Sequence, residues 1–291
     1  MATKEKLKTK AARVREEARE TGKVILRAPA LVRAAECVIR FLLGAMLSGA
    51  EIFGGYAPFG LGLVAASGSG LDGFCALLGA CFGYLAFRGL AEGLRYVAAA
   101  ILIFSVAFAF FDIKLYRRGW FMPAVTAALS GATGFVYLGE GGWELSAVVF
   151  FLTELLLSGA CVYFYRTAFS PWLDKREEGE LSTRQLASLF ILGSTVLISL
   201  AQLTLVGDLI SAGRVLAALA VMVFASQGGL GSGAAAGVAA GLSMDLARGG
   251  GDWSCTVCYG CAGLVTGAFQ GLSRTGCAVA YVLTNAVVVL W

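Results

Sequence analysis

Histidine is absent from this 291-residue chain, and charged residues and prolines are scarce. The lack of histidine excludes histidine acid–base catalysis, Ser-His-Asp triads and most zinc sites. Charged residues make up only 14% of the sequence, whereas soluble domains carry about 25%. Hydrophobic residues reach 58%, and the mean hydropathy is +0.78. Because this charge is too sparse to cover a globular surface, the composition predicts a membrane protein.

The charge that is present gathers near the N-terminus. Residues 1–36 begin MATKEKLKTK and are rich in Lys and Arg. They are too long and too acidic for a secretory signal, and Pro29 would interrupt any helix there. We expect 1–36 to form a basic cytoplasmic tail, lying on anionic lipid. Because the excess of positive charge sits in this tail, nucleic acid is not an expected partner.

Long apolar runs fill the remainder of the chain, and a membrane-spanning helix needs about 20 apolar residues. The sequence therefore predicts an all-α fold, in which 37–291 is a multi-pass membrane domain, a transmembrane helical bundle of about ten spans (10–11). The segment 57–70 is short and could be re-entrant. The candidate spans are 37–53, 57–70, 72–88, 94–112, 120–138, 144–166, 186–206, 209–226, 229–247, 254–272 and 276–291.

Loop charges predict the orientation, because cytoplasmic loops carry an excess of Lys and Arg. Basic residues follow the fourth span, and a longer basic loop lies near 167–185. Both fit a cytoplasmic N-terminus, whereas Arg88 and Arg95 fall on the outer side and disagree. The last segment reaches Trp291 without a polar flank, so we expect the chain to be a fragment of a longer protein.

Glycines recur at helical spacing in the last third of the chain. Such stripes let two membrane helices approach closely. The sequence contains two sets of such glycines. We expect the two sets to pack against each other, or one of them to pack across an oligomer interface in self-association. The first set is Gly229, Gly233, Gly237 and Gly241, and the second is Gly263, Gly267 and Gly271.

Three cysteines share a spacing found in iron–sulfur proteins. Cys255, Cys258 and Cys261 spell C-x-x-C-x-x-C. The surrounding residues are apolar and helical, and no fourth Cys-Pro completes a ligand set. We favour helix packing, in which cysteine acts as a small hydrophobe. The sequence therefore predicts no metal ligand and no cofactor in this chain, although a membrane redox protein remains a third class of function.

Three carboxylates fall within or beside apolar spans, namely Glu51, Glu154 and Asp245. Each shares a helix face with small residues, and an ionised group in hydrocarbon is costly. Such residues mark an ion or substrate path, or a protonated or paired carboxyl that fixes helix register. We favour the second interpretation for Glu51 and Asp245, and both remain open for Glu154. No catalytic residue is predicted.

At residues 41–64, the run FLLGAMLSGAEIFGGYAPFGLGLV resembles the opening of the membrane domain of stage II sporulation protein E. The features in common are a basic tail, a first span of FLLG type, the acid Glu51, and Pro58-Phe59 opening a short second span. The segment VVFFLTELLLSGACVYFY around Glu154 is similar to the family's sixth span, and a small-residue helix matches Gly228–Gly241.

The resemblance implies a bacterial inner-membrane protein of sporulating cells. Family members carry a C-terminal, manganese-dependent serine phosphatase of the PP2C type, which acts at the asymmetric septum with cell-division proteins. That phosphatase activates the first forespore sigma factor. This chain lacks the phosphatase domain, so it is not expected to be an enzyme itself. The resemblance therefore predicts a membrane anchor and localisation module that meets the lipid bilayer and self-associates.

The competing interpretation is a small-solute or ion transporter. Its pathway would be lined by Glu154 and Glu51, which lie where lipid should disfavour charge. Transporters often contain internal repeats and broken helices. No clear repeat between the two halves is visible in the sequence, although 57–70 could be a broken element.

Overall fold

The chain is described here by a computed structural model. It covers residues 29–53, 55–141, 145–173, 182–206, 210–249, 251–271 and 274–290. Most of the predicted tail, and residues 174–181 of the loop near 167–185, therefore lie outside the described residues. Helices dominate the described part, and the all-α prediction is confirmed, with one short antiparallel strand pair as the exception.

The helices follow the predicted apolar segments closely. In chain order they are α1 (Pro29–Ser48), α2 (Pro58–Ser67), α3 (Leu71–Phe110), α4 (Phe121–Gly141), α5 (Leu145–Leu173), α6 (Thr183–Ala201), α7 (Ala212–Ala247), α8 (Ser254–Ala268) and α9 (Arg274–Leu290). The strands β1 (Thr204–Val206) and β2 (Ile210–Ser211) join α6 to α7.

Four helices of the described part are long and apolar enough to cross a membrane, namely Leu71–Phe110, Leu145–Phe169, Thr183–Ala201 and Ala212–Ala247. The number of spans, about ten, stays a prediction. The helix α1 differs from its predicted bounds. It begins at Pro29, inside the expected tail, because a proline at the first helical position sacrifices no hydrogen bond. It ends at Ser48, which leaves Glu51 in the connecting segment.

The 40 residues of α3 fold back on themselves at Gly89. Gly89 has φ 72° and ψ −175°, outside the helical region. The rings of Tyr84 and Tyr96 stack with centroids 4.8 Å apart, and Phe74 lies 6.2 Å from Phe104. A straight helix would separate the second pair by about 45 Å. The helix is therefore a hairpin whose arms, 71–88 and 90–110, are joined by one residue.

The same device divides α7 at Gly229, which has φ 72° and ψ −157°. Ser232 donates a hydrogen bond to the carbonyl oxygen of Phe224 at 2.7 Å, a contact that only a reversed chain can make. Its arms are 212–228 and 230–247. Both turns read Gly-Leu-x-x-Gly, with the second glycine at Gly93 and Gly233. The two predicted spans within each helix are thus adjacent arms of one hairpin.

Helix contacts give the bundle two ends. At the Arg40 end, Arg40 donates to Ser67 and lies 4.8 Å from the ring of Phe169. The connection 111–120 lies at this end, because Tyr116 packs under Arg166 near the close of α5. At the Gly89 end lie the α3 turn and the segment 49–57. The helix α6 runs from the Arg40 end to the Gly89 end.

Candidate functional site

Glu154 lies at the centre of a buried charge cluster near the Gly89 end. Its side chain is fully buried. One carboxylate oxygen accepts a hydrogen bond from Arg95 at 2.6 Å, and the other accepts one from the Tyr96 hydroxyl at 2.6 Å. Arg95 also donates to the Tyr96 hydroxyl at 3.1 Å. Both oxygens are occupied because the second arm of α3 places two consecutive polar residues against α5.

Arg88 forms the second half of this cluster, and only 6% of its side chain is exposed. It donates to the carbonyl oxygen of Gly55 at 2.5 Å. Its guanidinium lies 3.8 Å from a carboxylate oxygen of Glu51 and 3.6 Å from one of Glu92. The structure therefore brings Glu51 and Glu154 into one network, in which each acid faces an arginine.

Two tyrosines of this cluster bind the backbone of the segment between α1 and α2. The Tyr84 hydroxyl donates to the Ala57 carbonyl at 2.8 Å and accepts from the Leu61 amide at 3.1 Å. The Tyr96 hydroxyl accepts from the Ala57 amide at 3.1 Å. Backbone that leaves the helix within a membrane needs such partners, since lipid supplies none. We name this set, with Glu154, Arg95 and Arg88, the loop-anchoring cluster.

Asp245 lies apart from the loop-anchoring cluster, near the end of α7. Its buried carboxylate accepts hydrogen bonds from the Cys255 amide at 3.0 Å and from the Thr256 amide at 2.7 Å. The Thr256 hydroxyl adds a third at 2.6 Å. These amides belong to the first turn of α8, where helix amides lack intrahelical acceptors and the dipole favours negative charge. Asp245 thus joins α7 to α8.

The predicted glycine stripe faces α8 of the same chain. A Cβ atom at Gly233 would collide with the carbonyl oxygen of Gly263, and one at Gly237 with that of Tyr259. A Cβ atom at Gly241 would meet the Thr256 backbone. This face is therefore covered within the chain, and a second copy would need another surface.

The remaining glycines of the two predicted sets have different surroundings. A Cβ atom at Gly267 would lie 2.5 Å from the carbonyl oxygen of Gly229, and Gly229 itself forms the α7 turn. Gly271 has open space around it, beyond the end of α8. The close approach of α7 and α8 thus involves Gly233, Gly237 and Gly241 on one side and Gly263 and Gly267 on the other, and Gly229 also forms the chain reversal.

A second close approach was not singled out from the sequence. A Cβ atom at Gly44 would lie 2.6 Å from the carbonyl oxygen of Ala76, while Gly79 and Gly83 touch the backbone of Phe41 and Ala45. The helix α1 and the first arm of α3 are thus parallel and in backbone contact. The spacing of Gly79 and Gly83 was the available signal.

The cysteine run lies on α8, and its thiols are free. Cys255 accepts a hydrogen bond from Arg248 at 3.2 Å, and Cys261 is exposed. Among the described residues, no group of three or more His, Cys, Asp or Glu side chains could hold a metal ion. The C-x-x-C-x-x-C spacing therefore produces no ligand cluster in the described part.

Sequence reasoning treated Arg88 and Arg95 as loop charges and did not select Tyr84 or Tyr96. The available signal was that Arg88 and Arg95 lie at the ends of apolar runs while Glu154 lies alone inside another run, so that the acid needs a basic partner. The assembled groups are paired ions and hydrogen-bonded hydroxyls, an arrangement suited to fixing backbone rather than to nucleophilic or redox chemistry.

Comparison with known proteins gives one result. A family model described as "SpoIIE, N-terminal domain" matches residues 1–291. No curated protein and no solved structure matches the chain.

Proposed function

Because this chain belongs to the SpoIIE N-terminal domain family, we propose that it anchors a sporulation phosphatase in the membrane and localises it to the asymmetric septum. The observation that carries the proposal is the family match, which spans all 291 residues. Membership makes the chain a membrane module of a sporulation protein. The septal location, and a part in activating the forespore sigma factor, are what the proposal adds.

The mechanism would be tethering. Holding a linked catalytic domain at one membrane site raises its effective concentration there without any new contact. Self-association and contact with cell-division proteins would concentrate it further. The loop-anchoring cluster and the α7–α8 contact support this role, because both give a bundle with a fixed shape.

The charge distribution supports a cytoplasmic N-terminus in the bacterial inner membrane. Lys114, Arg117 and Arg118 are exposed at the Arg40 end, where α1 begins. The basic residues that disagreed with this orientation, Arg88 and Arg95, lie in ion pairs with acids and do not act as loop charges. The positive-inside rule counts cations in short loops, so the Arg40 end would be cytoplasmic.

No observation favours the transporter alternative. Both oxygens of Glu154 are engaged by Arg95 and Tyr96. A cavity of about 550 Å³ lies between α5, α6 and the second arm of α7, and most of the side chains that line it are apolar. A flux assay on reconstituted protein would therefore show the same background for wild type and Glu154→Gln.

The test of the proposal is the location of the chain in sporulating cells. A fluorescent protein fused after Trp291 would show enrichment at the asymmetric septum, above that of an unrelated polytopic membrane protein with the same tag. Uniform membrane fluorescence at matched expression would contradict the localisation role. Membrane fractionation of the same fusion would show separately that the chain is inserted.

A further inference from the structure

The connection between α3 and α4 presents cations and large apolar side chains together. It reads FDIKLYRRGW and covers residues 111–120. The three basic side chains, Lys114, Arg117 and Arg118, are exposed. So are three large apolar ones, with exposed fractions of 53% for Phe111, 47% for Ile113 and 58% for Trp120. We name this segment the basic-aromatic loop.

Backbone hydrogen bonds fix the shape of the basic-aromatic loop. The Tyr116 amide donates to the Ile113 carbonyl at 3.0 Å, and the Arg118 amide donates to the Leu115 carbonyl at 3.1 Å. The Tyr116 ring is buried, with the Arg166 guanidinium 5.3 Å above it. The inward tyrosine and these turns hold the basic side chains on the outer surface.

The cations of this loop differ from three arginines that point into the bundle. Arg40, Arg88 and Arg95 each lie within 4.0 Å of a carboxylate. In the part of the chain that the structure describes, none of Lys114, Arg117 and Arg118 takes part in an ion pair. Asp112 is the one acid within the loop. The loop therefore presents positive charge available to an external anion.

We propose that the basic-aromatic loop binds the headgroups of anionic phospholipids in the leaflet next to it. Clustered Lys and Arg beside a membrane helix attract anionic lipid, and aromatic side chains favour the interface at headgroup level. Trp120 immediately precedes α4 and Phe111 immediately follows α3, which places both rings where apolar helix gives way to water. The proposal rests on membrane insertion and is independent of the septal role.

A bilayer is favoured over an acidic protein segment because of these rings. Phe111, Ile113 and Trp120 are exposed beside the cations, and a headgroup layer accommodates such side chains while its phosphates meet the charges. The competing occupant is the acidic stretch 174–180 of this chain, whose sequence is DKREEGE. The experiment below distinguishes binding of this acidic stretch from binding of lipid.

The experiment uses tryptophan fluorescence in nanodiscs. The full chain would keep Trp120 as its single tryptophan, with Phe at the other four positions. Phosphatidylglycerol with brominated chains, which quench nearby indoles, would be diluted into phosphatidylcholine. We expect Trp120 to be quenched well beyond the bulk fraction of brominated lipid, and brominated phosphatidylcholine to quench in proportion to its fraction. High salt would reduce the preference.

The matched control keeps Trp253 alone, which is 52% exposed at the Gly89 end. It should show a much weaker preference for phosphatidylglycerol than Trp120, because the exposed Arg214 and Arg248 at that end are accompanied by Asp245 and Asp252. Each cation near an anionic surface raises the affinity for anionic lipid by about fivefold. Changing Lys114, Arg117 and Arg118 to Gln should therefore lower the relative affinity for phosphatidylglycerol at Trp120 by about 100-fold. Changing Arg214 and Arg248 to Gln should leave it intact.

Three results would overturn the proposal. They are equal quenching by both lipids at Trp120, equal preference at Trp120 and Trp253, and a preference that survives the triple substitution. If Glu177→Gln with Glu178→Gln were needed before any preference appeared, the acidic stretch would be the occupant. Unchanged thermal midpoints across the variants would show that folding is not the cause. A uniform distribution in cells would leave this result standing.

Discussion

Arg95 and Glu154 form an ion pair of 2.6 Å in which the carboxylate is wholly buried. The pair joins the second arm of α3 to α5, far apart in sequence. Removing one partner of a buried pair leaves an uncompensated charge and costs about 3–5 kcal/mol, whereas replacing both by apolar residues is often nearly neutral. The bundle should therefore be destabilised when one of the two charges is removed, and much less when both are replaced together.

We expect Glu154→Leu and Arg95→Leu each to lower the thermal midpoint of the detergent-solubilised chain, and the double variant to recover most of the loss. Size-exclusion chromatography after heating would measure this. As a control, the exposed Arg248→Leu should change little. A double variant that loses as much as the sum of the two single ones would show that the residues are not coupled.

The two hairpin turns need glycine for a backbone reason. Gly89 and Gly229 adopt a combination of φ and ψ that is essentially confined to glycine, and forcing another residue into it costs about 1–3 kcal/mol. We expect Gly89→Ala and Gly229→Ala to lower stability by that amount. Gly231→Ala, two residues beyond a turn in open space, should be neutral or stabilising, because alanine favours helix. Equal effects at all three positions would contradict the hairpins.

Asp245 should control the start of α8. Loss of a capping side chain costs about 0.5–2 kcal/mol. We expect Asp245→Ala to loosen the first turn and to speed maleimide labelling of Cys255. Asp245→Asn, which keeps one acceptor, should lie between that variant and wild type. Cys261, at the exposed face of the same helix, should label at an unchanged rate in both variants.

The parallel contact of α1 with α3 predicts a specific cross-link. Cys37 and Cys75 are neighbours across this contact, and the Cys37 thiol lies 3.9 Å from a carboxylate oxygen of Asp72. A mild oxidant applied to isolated membranes should join Cys37 to Cys75, as peptide mass spectrometry would detect. Cys81, further along the same arm, should not cross-link to Cys37. Cross-linking of both pairs at equal yield would require a different register.

Hydrophobic patterning was enough to find the helices, because the backbone amides and carbonyls of an apolar run in lipid must hydrogen-bond to each other, which a helix allows. It separated 72–88 from 94–112, but it could not show that the chain reverses at Gly89 alone, since the backbone conformation of one glycine leaves no mark in the hydrophobic pattern. It placed Glu51 at the end of a span, whereas α1 ends at Ser48 and the acid turns toward Arg88.

The partners of the buried acids depend on contacts between distant helices. Glu154 was visible as an unusual residue, yet nothing local indicated Arg95 or Tyr96 as its partners. For Asp245 the sequence favoured a paired carboxyl, and the structure supplies backbone amides and a hydroxyl as the partners. The spacing of the glycines predicted close packing, but their direction toward α8 or a second copy required the fold.

The Gly89 turn also bears on how the chain enters the bilayer during synthesis. Only one residue separates the two arms, so the insertion machinery has almost no hydrophilic segment to translocate at that point. Arg88 and Glu92 flank the turn, and their opposite charges lie 3.6 Å apart. Moving the two side chains through the bilayer as a neutral pair costs less free energy than moving each charge alone. The arms 71–88 and 90–110 would thus enter together, as one preformed unit.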